Sequence, residues 1–237
     1  MKKHHYWMIG VVVLEMFFLG ITNKIQYKKE LSASLLLEKQ EYICNQNDFT
    51  IPLSSNHFRQ IMINQQERTA LSGQVRNGRL NLSFKDLKRV PNNLVSLITH
   101  TDCIKQIYFS QNYIDQFPEA IAHFPNAKKV DLSYNRLESL EFVNKNIQFD
   151  QVEELILSGN PMIRINDNIT KFPNLKKLYL ENMPNLEDIS EDIKKLEKLK
   201  IIVIRDSPIG SNRNKIIKLN RWLNKNEIRV YWKSRRN

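Results

Sequence analysis

The nonapeptide Ile104–Asn112, IKQIYFSQN, recurs along the chain, and no other feature limits the fold as strongly. Aligned on its last residue it returns as AKKVDLSYN at 127–135, VEELILSGN at 152–160, LKKLYLENM at 175–183 and, more weakly, LKIIVIRDS at 199–207. Apolar residues hold the first, fourth and sixth places of each copy, and asparagine holds the ninth in three of them. The sixth-place residues Phe109, Leu132, Leu157, Leu180 and Ile204 are spaced by 23, 25, 23 and 24 residues. A repeat of that length is one supersecondary unit that cannot bury its apolar face alone and must stack on its neighbours. The in-out alternation of places four to six predicts a short strand with one buried side. Stacked copies then give a parallel sheet over a continuous core.

The ninth-place residue leaves the strand, and its amide, with donors and an acceptor, can bond the loop backbones of its own and neighbouring coils. Asn112, Asn135 and Asn160 are expected to form such a ladder; Met183 cannot join it, and Ser207 can do so only in part. The returns FPEAIAHFPN, INDNITKFPN and ISEDIKKLEK place Ile121 with Phe124, Ile169 with Phe172, and Ile193 with Leu196 three apart. That is the spacing of a short helical turn facing the core.

The pattern LxxLxLxxN resembles that of the leucine-rich-repeat family, over about residues 80–232. The returns resemble the variety that reads LPxxIxxLxx. The resemblance implies an α/β solenoid: a curved parallel β-sheet on the concave side, short helices or turns on the convex side, and a cap at each end. It also implies protein binding on the concave face, the usual business of the family.

Four segments follow from the chain order. Residues 1–25 read as a signal peptide or membrane anchor. Lys2 and Lys3 precede an apolar run broken only by Glu15, long enough to span a bilayer. Gly20-x-Thr22 makes a poor cleavage site, so both alternatives stand. Residues 26–70 read as a spacer and N-terminal cap, with a helix begun by Ser54 or Ser55. The solenoid occupies 71–210, opened by a hairpin at Asn77-Gly78. Its second strand passes into a degenerate first repeat with Lys85 in the asparagine place. Residues 211–237 read as a basic cap, in which Ser211 begins a helix and EIRVYW forms a last strand with Ile228, Val230 and Trp232 inward. The expected location is therefore membrane-anchored or secreted, with the repeats outside the cytoplasm. Cys44 and Cys103 suffice for one bridge if the compartment is oxidising. The reading preferred from the residues is two separate thiols packed as small apolar groups.

Net charge is +11, but ten Lys or Arg against two acids from Arg205 onward put +8 of it in the last 33 residues. No catalytic constellation is present. The five histidines have no metal-binding spacing, and six glycines form no phosphate loop. An enzyme and a cofactor are therefore not expected. The site candidates lie on the concave face: Tyr108, Asp131, Ile156, Tyr179 and Val203 in one strip, with Tyr134, Glu181 and Arg205 beside it. Outward aromatic and aliphatic side chains among small polar ones suit a protein partner. The alternative is the basic patch Lys215, Lys218 and Arg221, which would hold an anionic surface or acidic partner by long-range attraction. Nucleic acid is the least favoured partner, because the leader points out of the cytoplasm and no recognition motif is present.

Overall fold

The computed structural model describes residues 75–90, 94–98, 101–212, 214–217, 219, 221 and 228–232. The leader, the spacer, Ser54, Ser55, Cys44 and Lys218 lie outside the described residues. The described residues open on a hairpin of β1 (Val75–Arg76) and β2 (Arg79–Asn81), in which Val75 faces Leu80 and Arg76 faces Arg79. Asn77 and Gly78 both take positive φ, 51° and 69°. This is the two-residue turn whose twist matches the strands it joins. A Cβ on Gly78 would stand 2.9 Å from the Cys103 carbonyl, while the Gly78 carbonyl itself accepts from Lys105 N–H at 2.7 Å. The turn thus hands the chain directly to the next coil.

From β2 onward the sheet is parallel. It runs through β3 (Gln106–Tyr108), β4 (Lys129–Asp131), β5 (Glu154–Ile156), β7 (Lys177–Tyr179), β9 (Ile201–Val203) and β10 (Arg229–Tyr231). Each strand meets the next with the same repeat place opposite, so Leu80, Ile107, Val130, Leu155, Leu178, Ile202 and Val230 form one row. The sixth-place row Phe109, Leu132, Leu157, Leu180 and Ile204 is fully buried behind it. Two further short strands, β6 (Arg164–Ile165) and β8 (Asp188–Ile189), pair on the return side.

The return segments are single 3₁₀ helices, at Glu119–His123, Asp167–Lys171 and Glu191–Lys195. Ile121, Ile169 and Ile193 face inward, and Phe124, Phe172 and Leu196 close each turn by donating N–H to the isoleucine carbonyl three residues back. The 25-residue coil has no such helix; it inserts Phe142 and Phe149 instead. Their rings meet Phe117 and Phe172 edge-on, tilted or stacked, with centroids 4.7–6.3 Å apart. The two extra residues are accommodated by a loop that Glu119 ties down, its carboxylate accepting from Val143 N–H and Asn144 N–H.

The asparagine ladder is present. Asn135 donates to the carbonyls of Phe109 (2.9 Å) and Leu132 (3.0 Å) and accepts from Ile114 N–H (3.0 Å). Asn112 likewise donates to Leu82 and Phe109 and accepts from Lys85 and Leu87, and Asn160 joins Leu132 and Leu157 to Leu137. Ser207 takes the same place at the far end, donating to the Leu180 carbonyl and accepting from Met183 N–H, while Met183 packs as a core residue.

Two expectations are corrected. Ser211 does not start the terminal helix. It ends a four-residue helix, α1 (Pro208–Ser211), and the helical residues 214–217, 219 and 221 follow Asn212, whose side chain accepts from Lys215 N–H. Asparagine can cap a helix as serine does, and Pro208 at the first position starts α1 earlier than periodicity indicated. Cys103 is not a lone thiol: it is buried and disulfide-bonded.

Replacing Asn135 by Ala should leave the buried Ile114 N–H without its partner and take one of two donors from each of the Phe109 and Leu132 carbonyls, at a cost of about 1–3 kcal/mol. The urea midpoint should fall accordingly, and an unchanged midpoint would show that the ladder carries no stability.

Candidate functional site

Parallel pairing turns three places of each repeat into three rows across the open face of the sheet. The middle row is Asn81, Tyr108, Asp131, Ile156, Tyr179, Val203 and Tyr231, each opposite the next. Neighbouring strands lie about 4.8 Å apart, so these side chains form one continuous strip. Tyr108, Asp131, Ile156 and Tyr179 are half-buried, and so reach solvent. Val203 does not belong to the exposed strip; it is 5% exposed. The register gives the reason, for its short side chain stands between Tyr179 on one strand and Tyr231 on the other. Tyr231 extends the strip instead, 39% exposed, and could have been found by carrying the repeat register into the last strand.

Beside the tyrosines runs a charged row. Lys129 and Lys177 both reach the Glu154 carboxylate, at 2.7 and 3.3 Å. Burial alone would raise the Glu154 carboxyl, but the hydrogen bond and charge of Lys129, then those of Lys177, overcome it and hold the group below its ordinary value of 4.5. Burial pulls the Lys129 ammonium down, yet its bond to Glu154 raises it above 10.5. On the other side Arg205 meets Glu181 at 3.3 Å and lies over the Tyr231 ring, 5.5 Å from its centroid. Asp131 is turned along its own strand end, where it accepts from the Ser133 amide and hydroxyl at 2.9 and 2.6 Å. The charges of this face are thus largely satisfied within the protein.

Tyr134 does not join the strip. It occupies the eighth repeat place, at the edge where strands pass into loops, with φ 53° and 49% exposure. Among the described residues, six coils have a left-handed residue there: Phe84, Gln111, Tyr134, Gly159, Asn182 and Asp206. The turn lets the eighth N–H donate to the seventh-place carbonyl of the following coil, as in Tyr134 to Ser158 (2.8 Å) and Gly159 to Glu181 (2.9 Å). Gly159 serves a second purpose. A Cβ there would come within 2.5 Å of the Tyr134 ring, so the glycine gives the ring its seat, and Asn182 donates to the Tyr134 hydroxyl at 3.3 Å. Phe84 and Tyr113, which sequence reasoning did not select, stand exposed at the same edge.

Of the basic patch, Lys215 and Arg221 are exposed, and the Lys215 ammonium donates to the Glu187 carbonyl at 2.6 Å. Among the described residues, no three His, Cys, Asp or Glu side chains gather as metal ligands, and no helix is long and apolar enough to cross a membrane.

The ion triad has a pH signature. Because Glu154 titrates lower folded than unfolded, its contribution is present above about pH 4.5 and is lost as pH falls through the lowered value. Glu154→Gln should therefore flatten the acid limb of a stability–pH curve below pH 5 and reduce stability at pH 7. An acid limb of unchanged slope would show that the triad is not coupled to folding.

No protein-family model matches the chain, and no curated protein matches it. Among solved structures it is similar to a leucine-rich-repeat protein of Leptospira interrogans, with TM-score 0.50 and 22% identity, over 64% of this chain and 36% of that one. InlP of Listeria monocytogenes matches with TM-score 0.44 and 20% identity, over 54% and 34%. The SNF/U2A' complex of Drosophila melanogaster matches with TM-score 0.42 and 21% identity, over 52% and 70%. The chain spans about a third of the length of the first two. With the repeat register, the parallel sheet, the asparagine ladder and the 3₁₀ returns already in place, the chain is a leucine-rich-repeat solenoid.

Proposed function

We propose that the protein is a non-enzymatic binding module that holds a protein partner on the open face of its sheet, and that it works outside the cytoplasm, exported or anchored by its N-terminal segment. The observation that carries this reading is the strip Tyr108, Ile156, Tyr179 and Tyr231. Its rings and aliphatic groups face away from the core, while in the row beside them Glu154 takes up both Lys129 and Lys177. Such a surface can desolvate on contact without stripping unpaired charge. Large, stiff tyrosine rings supply contact area at little cost in side-chain entropy. The disulfide at Cys103 suits an oxidising compartment. The basic cap has less support, since Lys215 is already engaged by a backbone carbonyl.

A crosslinking pull-down with the full chain tests this reading. Tyr108→Ala and Tyr179→Ala should each weaken capture by an amount equivalent to about 2 kcal/mol, with little change in stability. Moderate salt should matter little. Capture that survives both substitutions but vanishes in salt, or on changing Lys215 and Arg221 to Glu, would place the binding surface on the cap instead.

A further inference from the structure

The eighth-place edge holds a second feature, separate from the strip. Phe84, Asp86, Gln111, Tyr113 and Tyr134 line an open pocket of about 610 Å³, floored by the ladder residue Asn112. The three rings are 66%, 42% and 49% exposed, well beyond what a core-facing aromatic shows. Two of them are held in place by specific means. Tyr134 rests on Gly159, and Phe84 sits on a backbone with φ 58°, a conformation uncommon for a bulky side chain. Asn112 brings no free polar group, because its amide is spent on the ladder. One charged residue lines the pocket, the exposed carboxylate of Asp86, and it makes no ion pair among the described residues. The edge already holds one guanidinium against an aromatic face: Arg136 lies over the Tyr113 ring, 4.5 Å from its centroid.

We infer that this pocket receives a basic side chain, an arginine, presented by the protein partner. Aromatic faces attract a cation through their quadrupole, most strongly for the planar guanidinium. A single unpaired carboxylate supplies the complementary charge. An anion would meet Asp86, and a purely apolar group would strand it. The inference rests on the protein-binding reading and adds to it the chemistry that the partner must carry. It places a charged, orientation-fixing contact at one end of the partner surface, an arrangement that selects among partners and fixes their register.

The probe is N-acetyl-arginine methylamide, titrated into the full-length protein while the ring signals of Phe84, Tyr113 and Tyr134 are followed by NMR, with the citrulline analogue as a neutral isostere. The arginine probe should shift these signals saturably, and the citrulline analogue should bind about two- to fivefold more weakly, the size of one exposed cation–aromatic contact. Asp86→Asn, which tolerates the left-handed backbone as aspartate does, should lower affinity by a similar factor. Phe84→Leu, which keeps apolar bulk but loses the ring, should also weaken the arginine probe. Equal binding of the two analogues, no effect of Asp86→Asn, or no movement of the ring signals would overturn the inference. The titration needs no partner, so it fails or succeeds independently of the Tyr108 and Tyr179 substitutions.

Discussion

A solenoid of this kind depends on the hydrogen bonding of one buried side chain. In every coil the chain must leave a strand and reverse, which strips backbone groups of their ladder partners inside an apolar stack. An unmet buried donor or acceptor costs about 1–3 kcal/mol. Asn135 answers this by joining the Phe109 and Leu132 carbonyls, in two successive coils, to the Ile114 amide. Because each such residue bridges its own coil and the preceding one, the ladder also fixes the stacking register. The left-handed eighth-place turn is held separately by its own N–H, which donates to the next coil as Tyr134 does to Ser158, and that bond offsets a cost of about 1–2 kcal/mol per non-glycine residue. Serine at position 207 preserves the essential donor and acceptor at the terminal coil.

That division of labour frees the opposite side of the sheet. With core rows and ladder behind them, the side chains of the open face are not required for packing, and they divide into two kinds. Charged residues pair with each other across strands, as in Lys129–Glu154–Lys177 and Glu181–Arg205. Tyrosines and an isoleucine remain for a partner. At the strand ends, the left-handed turn lifts Phe84 and Tyr134 out of the sheet and toward solvent, so one backbone device serves both the stack and the edge pocket.

Much of this was legible in the sequence because each repeat place has a distinct physical demand. Period, strand positions, ladder asparagines and the Asn77-Gly78 turn follow from residue type and spacing alone. The eighth-place turn was not legible, because Phe, Gln, Tyr, Gly, Asn and Asp all occupy it. Its conformation goes with the bond from its own N–H to the next coil rather than with local preference, so composition conceals it. The Phe142 and Phe149 insertion was equally hidden, since it falls where the longer repeat breaks the periodicity. Val203 was misplaced for a different reason. Strand alternation sets which way a side chain points, but the tyrosines on both neighbouring strands determine whether it reaches solvent.

Native-state hydrogen exchange at the amides that bond the asparagine side chains tests the central claim most directly. The Leu87, Ile114 and Leu137 N–H groups lie in loops with no strand partner, each bonded instead to a ladder oxygen. If the ladder holds the stack together, these three amides should exchange only by the cooperative opening that releases the β4 and β5 strand amides, with the same dependence on denaturant. Exchange at rates typical of surface loops, while the strands stay protected, would contradict it.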